Sequence, residues 1–186
     1  MAKQKNFSVY LSYLLRHSPQ SIGLTMDRHG WVEVTELIEK VNAAGEYTVT
    51  PEQLRQVVAE DNKGRYRFSP DGSRIKACQG HSIEWVEPEL TYGDTPEFLY
   101  HGTTADAYSK ILSSGGIRRM SRHAVHMTAD PEKAWQSARR WHRAALVLKI
   151  DARRLEEAGI AIGCSDNAVW CAGEVPVEFI CDVLYE

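Results

Sequence analysis

Three arginines and one histidine occupy positions from which they could bind a phosphate group. Arg16 and His17 end the first amphipathic segment, Arg65 begins a β-like stretch, and Arg122 precedes another. Arginine offers planar, permanently charged donors that match pairs of phosphate oxygens, and histidine titrates near neutral pH. If the four converged, they would form a strong site for a phosphate dianion. The alternative for Arg16 and His17 is a favourable charge at the negative C-terminal end of a helix.

A second candidate group is His101-Gly102-Thr103, which directly follows a predicted strand. Glycine permits a close backbone approach, and histidine and threonine provide donors for a ribose hydroxyl or a phosphate. An ordinary turn at the end of a strand explains the same three residues. His126, in another predicted strand, is either a ligand contact or a half-buried histidine.

Other chemistries lack support in the sequence. The chain has no G-x-x-x-x-G-K-[ST] loop and no G-x-G-x-x-G string, and no paired carboxylates suggest metal-dependent phosphatase chemistry. The formal net charge is only -3, so any basic surface must be local. Three features of the sequence favour a cytoplasmic location, with no membrane partner. The four cysteines are scattered, no apolar run is long enough to span a bilayer, and there is no secretory leader.

The first part of the chain is predicted to be helical and then to change to a hairpin. Apolar residues at helical spacing predict a helix from Phe7 to His17 and another over Thr35 to Ala44. Thr50-Pro51-Glu52-Gln53 has the N-cap, N1 and N3 residues of a third helix start. Residues 65–69 and 74–77 then flank a Pro-Asp-Gly-Ser turn. Three helices followed by a hairpin are the order of a winged helix, a module that binds nucleic acid or mediates protein contacts.

The second part is predicted to mix short strands with helices, after an acidic, turn-rich segment that we interpret as a linker. Strands are expected at Phe98-Leu99-Tyr100, 125–128, 145–150, 168–171 and 179–184, with helices over 105–112, 130–142 and 151–158. The whole chain is therefore predicted to be an α+β protein with two lobes.

Six segments, in this order along the chain, resemble the RNA 2′-phosphotransferase family, the NAD-dependent enzymes of tRNA splicing and their bacterial relatives. Each segment alone is weak, but six in order are highly specific and cover nearly the whole chain. The segments are Leu14 to Pro19, Asp27 to Trp31, Lys63 to Ser82, Leu99 to Thr103, Arg122 to His126, and Asn167 to Pro176.

The resemblance implies a winged-helix-like lobe that binds RNA and phosphate over residues 1–88, a linker over 89–97, and an NAD-binding lobe with the ADP-ribosyltransferase fold over 98–186. It implies NAD as a consumed co-substrate, no metal, and an RNA with an internal 2′-phosphate as the substrate. A two-lobed monomer needs no further partner, so we expect a monomer in the cytoplasm.

The resemblance also assigns roles to residues. It implies that Arg16, His17, Arg65 and Arg122 hold the phosphate. The NAD-binding residues that it implies are His101, Gly102, Thr103, the second histidine His126 and, through their backbone, Gly116 and Ile117.

Two positions depart from the family pattern. Ala168 stands where the family commonly has glycine, and Arg65-Tyr66-Arg67-Phe68 stands where the family has a shorter basic-aromatic string. The longer string makes Arg67 an alternative to Arg65 as the phosphate ligand. Lys63 lies two residues before Arg65, as in the family's K-x-R-[FY] pattern, and this spacing favours Arg65.

The mechanism that the resemblance implies has two steps. The 2′-phosphate attacks the anomeric carbon of the nicotinamide ribose and expels nicotinamide, which leaves a 2′-phospho-ADP-ribosyl RNA. The ribose 2″-hydroxyl then attacks phosphorus and releases ADP-ribose 1″,2″-cyclic phosphate. The alternatives are an ADP-ribosyltransferase acting on other nucleic-acid or protein acceptors, and a non-catalytic winged-helix nucleic-acid binder.

Overall fold

The computed structural model describes residues 2–186, with side chains from residue 7 onward. The chain divides into two compact units, Met1–Glu89 and Leu90–Glu186. Both units combine helices with antiparallel sheets, which confirms the predicted α+β class. Within the described residues, no helix is both long and apolar enough to cross a membrane.

The first unit packs helices against one antiparallel sheet. The helices are α1 (Ala2–Arg16), α2 (Val34–Ala44) and α3 (Pro51–Ala59). The strands are β1 (Val32–Glu33), β2 (Tyr66–Phe68) and β3 (Arg74–Ala77), in the sheet order β1-β3-β2. The helix start at Thr50 is confirmed, because its hydroxyl accepts from the Gln53 amide while the Gln53 side chain accepts from the Thr50 amide.

The core of the first unit follows the apolar spacing of the sequence. Apolar side chains from the inner faces of all three helices are buried together with those on one face of the sheet. These residues include Leu11, Leu14, Leu15, Leu37, Val41, Leu54, Val57, Tyr66, Ile75 and Ala77. Because Leu14 and Leu15 in the last turn of α1 are buried, the core fixes the position of Arg16 and His17 at the end of this helix.

The strands of the second unit are β4 (Thr91–Tyr92), β5 (Phe98–Thr104), β6 (Gly116–Arg118), β7 (Val125–Met127), β8 (Ala145–Asp151), β9 (Ile162–Cys164), β10 (Trp170–Ala172), β11 (Glu174–Pro176) and β12 (Ile180–Tyr185). They form three antiparallel sheets, ordered β4-β9-β10-β7, β11-β6 and β12-β8-β5. The helices are α4 (Ala105–Ser114), α5 (Pro131–Arg139) and α6 (Ala152–Glu157). A single bridge between Tyr100 and Thr128 places β5 beside the end of β7.

Two sequence-based expectations are corrected in this unit. Residues 91 and 92, inside the expected linker 89–97, form β4 and pair with β9, so they belong to the second unit's sheet. His101-Gly102-Thr103 does not follow a strand but lies within one, because β5 continues to Thr104 and pairs with β8 along its whole length. Both errors arise because the partner strands are distant in sequence.

Candidate functional site

Arg16 and His17, at the end of α1, contact the segment 79–82 that follows β3. The ring nitrogen Nδ1 of His17 lies 2.8 Å from the hydroxyl oxygen of Ser82. The backbone amide of Ser82 donates to the Arg16 carbonyl oxygen at 2.9 Å. This carbonyl belongs to the last turn of α1, where helix carbonyls lack intrahelical partners. The same short segment therefore caps the helix and orients the imidazole.

Two glycines allow the segments around these residues to approach closely. Gly80 has φ +86, and a Cβ built on it would lie 3.7 Å from the guanidinium carbon of Arg16. Gly30 has φ +83, and a Cβ there would lie only 2.9 Å from Nε2 of the buried His81. Positive φ is a conformation that glycine adopts without strain. The glycines of two family-like segments are thus required by local geometry.

Arg65, just before β2, is held by a carboxylate and by the first helix. Its Nε and Nη2 atoms each lie 2.8 Å from Oδ1 of Asp61, a carboxylate that is almost fully buried. Nη2 also donates to the hydroxyl of Ser8 at 3.2 Å. Ser8 precedes Arg16 by two helical turns, about 12 Å along the axis. The structure therefore brings Arg65 to α1, but to an earlier part of the helix than Arg16.

Arg67 belongs to a different cluster, which the sequence did not reveal. Its guanidinium carbon lies 5.4 Å from the centre of the Trp31 ring, where Arg74 at 5.2 Å and Lys76 at 4.8 Å also approach. Cations over an indole face are attracted by its quadrupole. Lys76 is buried and contacts Glu89 at 2.5 Å, and its hydrogen bond lowers the pKa of that carboxyl. Arg65 and Arg67 are thus directed to separate surroundings.

In the second unit, His101 is oriented by the main chain of the neighbouring strand. Its Nδ1 lies 2.9 Å from the carbonyl oxygen of His126. A carbonyl can only accept, so Nδ1 carries the hydrogen. Burial lowers the pKa of His101 below its usual value, although this hydrogen bond acts in the opposite direction. The imidazole is therefore neutral at pH 7, and Nε2 is its acceptor atom.

The other candidate NAD-binding residues of the second unit also have structural roles. A Cβ on Gly102 would lie 2.0 Å from the carbonyl oxygen of Ala134, so α5 packs directly on the backbone of β5. A Cβ on Gly116 would lie 2.7 Å from the Val175 carbonyl oxygen. Thr103 and Ile117 are buried, and Ile117 pairs with Val175 across β6 and β11. At Gly102 the close backbone approach is made by α5, and a role of this glycine toward NAD stays a prediction.

Arg122 lies on an exposed turn that leads into β7. The backbone amide of Arg122 donates to the Arg119 carbonyl oxygen at 3.0 Å. Beside this turn is a cavity of about 560 Å³ lined by Arg118, Arg119, Met120, Gly173 and Glu174. His126 is half-buried in β7, opposite Cys171 of β10.

Ala168 occupies the turn between β9 and β10 in a conformation that favours glycine. Its φ is +58, within the left-handed region. Its amide donates to the Ser165 carbonyl oxygen at 2.9 Å, and this bond closes the turn. The departure from the family's usual glycine therefore costs backbone strain and leaves the turn intact.

Comparison with known proteins relates the whole chain to one group. Residues 2–173 match the family model described as RNA 2′-phosphotransferase, Tpt1 / KptA family. The chain belongs to this family. A probable RNA 2′-phosphotransferase from Pseudomonas syringae pv. tomato is 42% identical over 182 residues, which cover 97% of this chain and 96% of the relative.

Other bacteria hold similar relatives. A probable RNA 2′-phosphotransferase from Burkholderia pseudomallei is 42% identical and covers 93% of this chain and 92% of its own length. One from Fusobacterium nucleatum is 40% identical, with 92% and 94% covered. The resemblance predicted from six short segments is thus confirmed at the level of the family.

Proposed function

We propose that this chain removes an internal 2′-phosphate from RNA and consumes NAD in doing so. Family membership over residues 2–173 is the observation that carries the proposal. The removal of a 2′-phosphate is what the family's name describes, and the use of NAD is part of our proposal. The phosphate is held by Arg16, His17, Arg65 and Arg122.

The proposal includes a division of labour between the two units. The first unit is a winged-helix-like lobe, which its helices and the β1-β3-β2 sheet order support. The second unit has the ADP-ribosyltransferase fold and binds NAD through His101, Gly102, Thr103, Gly116, Ile117 and His126. Fold alone does not assign a function, so each role depends on the chemistry of the site residues.

The residues of the second unit fit a ribose. His101 is neutral, with its hydrogen on Nδ1 and its lone pair on Nε2, so Nε2 accepts a hydrogen bond from a ribose hydroxyl. Bound NAD supplies an electrophilic anomeric carbon with nicotinamide as the leaving group. Because the attacking 2′-phosphate is already an anion, the first step needs no strong general base.

The residues of the first unit fit the phosphate. Guanidinium groups stabilise negative charge on phosphate oxygens without a metal. In the second step, the ribose 2″-hydroxyl attacks phosphorus, and the proton that it loses must reach the departing RNA 2′-oxygen. His17 is the side chain that we assign to this proton transfer, with Ser82 fixing its ring through Nδ1.

The test is turnover with an RNA oligonucleotide that carries one internal 2′-phosphate. With NAD present, we expect nicotinamide release and loss of one phosphate from the RNA by mass spectrometry. A matched oligonucleotide with only a terminal phosphate should remain unchanged. Stable ADP-ribose on the terminal phosphate would instead favour an ADP-ribosyltransferase with other acceptors, and no reaction with either RNA would favour a non-catalytic binder.

A pair of variants on one turn tests the assignment of the phosphate ligands. Arg122→Ala should lower kcat/KM by about 100-fold or more, because a charge-stabilising donor is lost. Arg119→Ala removes the same charge from the same exposed turn and should leave kcat/KM within about twofold of the wild type. Equal effects of the two substitutions would remove Arg122 from the site.

A further inference from the structure

A cavity of about 400 Å³ opens beside His17 in the first unit. Its volume is within the usual range for small-molecule pockets, about 300–1,000 Å³. Its lining includes His17 and Ser82, the hydrogen-bonded pair described above, together with Gln20, Glu84 and Trp85. The cavity is thus continuous with a residue that we assign to the phosphate.

Trp85 is exposed to solvent at the tip of a turn whose two ends are buried. The amide of Val86 donates to the carbonyl oxygen of Ile83 at 3.1 Å and closes a turn with Glu84 and Trp85 at its tip. Ile83 and Val86 are both buried, so they fix the base of the turn in the core. The Trp85 side chain itself remains 54% exposed. An indole is large and apolar, and Trp85 is not part of the buried core of the first unit.

The chemistry of the walls favours a flat, uncharged group. The indole offers a stacking face, and stacking on an aromatic side chain accepts any of the four bases. The amide of Gln20 and the carboxylate of Glu84 can pair with the polar edge of a base. The carboxylate disfavours a second phosphate in the cavity because like charges repel.

We propose that this cavity binds a nucleobase of the RNA within one nucleotide of the 2′-phosphate, with the base stacked on Trp85. The proposal rests on the proposed function, because the position of the phosphate at His17 determines which base reaches the cavity. The cavity then provides a contact with the RNA in addition to the phosphate contacts. This contact requires a base but does not depend on which base it is.

The experiment measures both binding and turnover. Fluorescence anisotropy with a labelled 2′-phosphorylated RNA, without NAD, reports binding alone. We expect Trp85→Ala to weaken binding, and to lower kcat/KM through KM, by about 5- to 150-fold. Trp85→Phe keeps an aromatic face and should restore most of both. Trp141→Ala is the matched control, since Trp141 is 66% exposed and lies in the other unit.

A second arm removes the base instead of the indole. Three RNAs each carry one abasic nucleotide, either at the 2′-phosphorylated position or on one side of it. We expect one of them to bind the wild-type protein with the same reduced affinity that intact RNA shows for Trp85→Ala. That same RNA should lose no further affinity for Trp85→Ala, because the stack is already gone. Unchanged binding by Trp85→Ala, or additive losses at every position, would overturn the proposal. If the wild type binds but does not turn over, the proposed function fails while the binding arm still decides the stacking.

Discussion

The hydrogen bond between His17 and Ser82 connects the local structure directly to the proposed chemistry. A ring nitrogen that is hydrogen-bonded to a hydroxyl at 2.8 Å cannot turn freely, so the second nitrogen is directed consistently. A hydrogen bond of this kind contributes about 0.5–1.5 kcal/mol. Ser82 therefore acts through His17 as a positioning residue.

We expect Ser82→Ala to lower kcat/KM for 2′-phosphorylated RNA by about 2- to 10-fold, the range that this hydrogen bond corresponds to. The loss should fall on kcat and leave KM nearly unchanged, because Ser82 orients the side chain that we assign to proton transfer. Ser82→Thr keeps the hydroxyl and should restore kcat. A loss confined to KM, or no rescue by threonine, would mean that Ser82 supports the loop alone.

His101 gives the protein a pH dependence of stability with a definite sign. Its pKa in the folded state lies below the ordinary value of 6.5, chiefly because of burial. Below about pH 6.5 the unfolded chain binds a proton that the folded chain does not, so stability falls as the pH is lowered toward the folded-state pKa. Above about pH 6.5, His101 is mainly neutral in both the folded and the unfolded chain, so it no longer lowers the free energy of unfolding.

His101→Asn should therefore flatten the decrease in the free energy of unfolding between pH 7.5 and pH 5.5. Urea denaturation at both pH values measures this difference. His142→Asn, at an exposed site, is the control and should keep the wild-type slope. An unaltered slope in the His101 variant would show that another group causes the pH dependence.

At the scale of elements, the packing of α5 on β5 depends on the absence of a side chain at Gly102. An added Cβ would meet the Ala134 carbonyl oxygen at 2.0 Å, and backbone atoms on both sides leave no flexible group to yield. Gly102→Ala should destabilise the protein by about 1–3 kcal/mol or more, measured by urea unfolding. Gly173→Ala, where nothing lies within 4 Å of the added carbon, should change stability by less than about 0.5 kcal/mol. Unchanged stability of Gly102→Ala would contradict this account of the packing of α5 on β5.

Elements with local signals were predictable from the sequence, and elements with distant partners were not. The capping box at Thr50 and the hairpin over 66–77 depend on residues within a few positions of each other, and both are present. Strands β4, β6 and β9 each have two or three residues and are too short to show a period of two. Pairing across about 70 residues, as between β4 and β9, leaves no local trace.

The candidate site shows the same division. The residue types at Arg16, His17, Arg65 and Arg122 are compatible with phosphate chemistry, and the family resemblance is what singles these four out. Their surroundings could not be predicted, because the contact of His17 with Ser82 spans 65 residues. The indole at Trp85 gave no signal either, since its exposure depends on how the turn around it is anchored.

At the scale of the whole molecule, each unit has its own buried core. One core combines α1, α2 and α3 with the first sheet, and the other surrounds β5 and β8. A domain with its own core can in principle fold alone. We therefore expect residues 1–89 and 90–186, expressed separately, each to unfold cooperatively in thermal circular dichroism.

Neither fragment alone should release nicotinamide from NAD in the presence of 2′-phosphorylated RNA, because the proposed phosphate and NAD residues are divided between them. The full chain under the same conditions is the positive control. A fragment without a cooperative transition would show that its core depends on the other unit. Turnover by one fragment alone would contradict the proposed division of labour.

The acceptor that orients His101 belongs to the main chain of His126, and this makes the two histidines genetically separable. A substitution at position 126 removes that imidazole while the strand still presents its carbonyl oxygen to His101. Mutational scanning at position 126 therefore reports on the His126 side chain alone, without also disturbing the tautomer of its neighbour. A change in NAD use by a variant at position 126 would therefore be attributable to that side chain, since His101 keeps its main-chain acceptor.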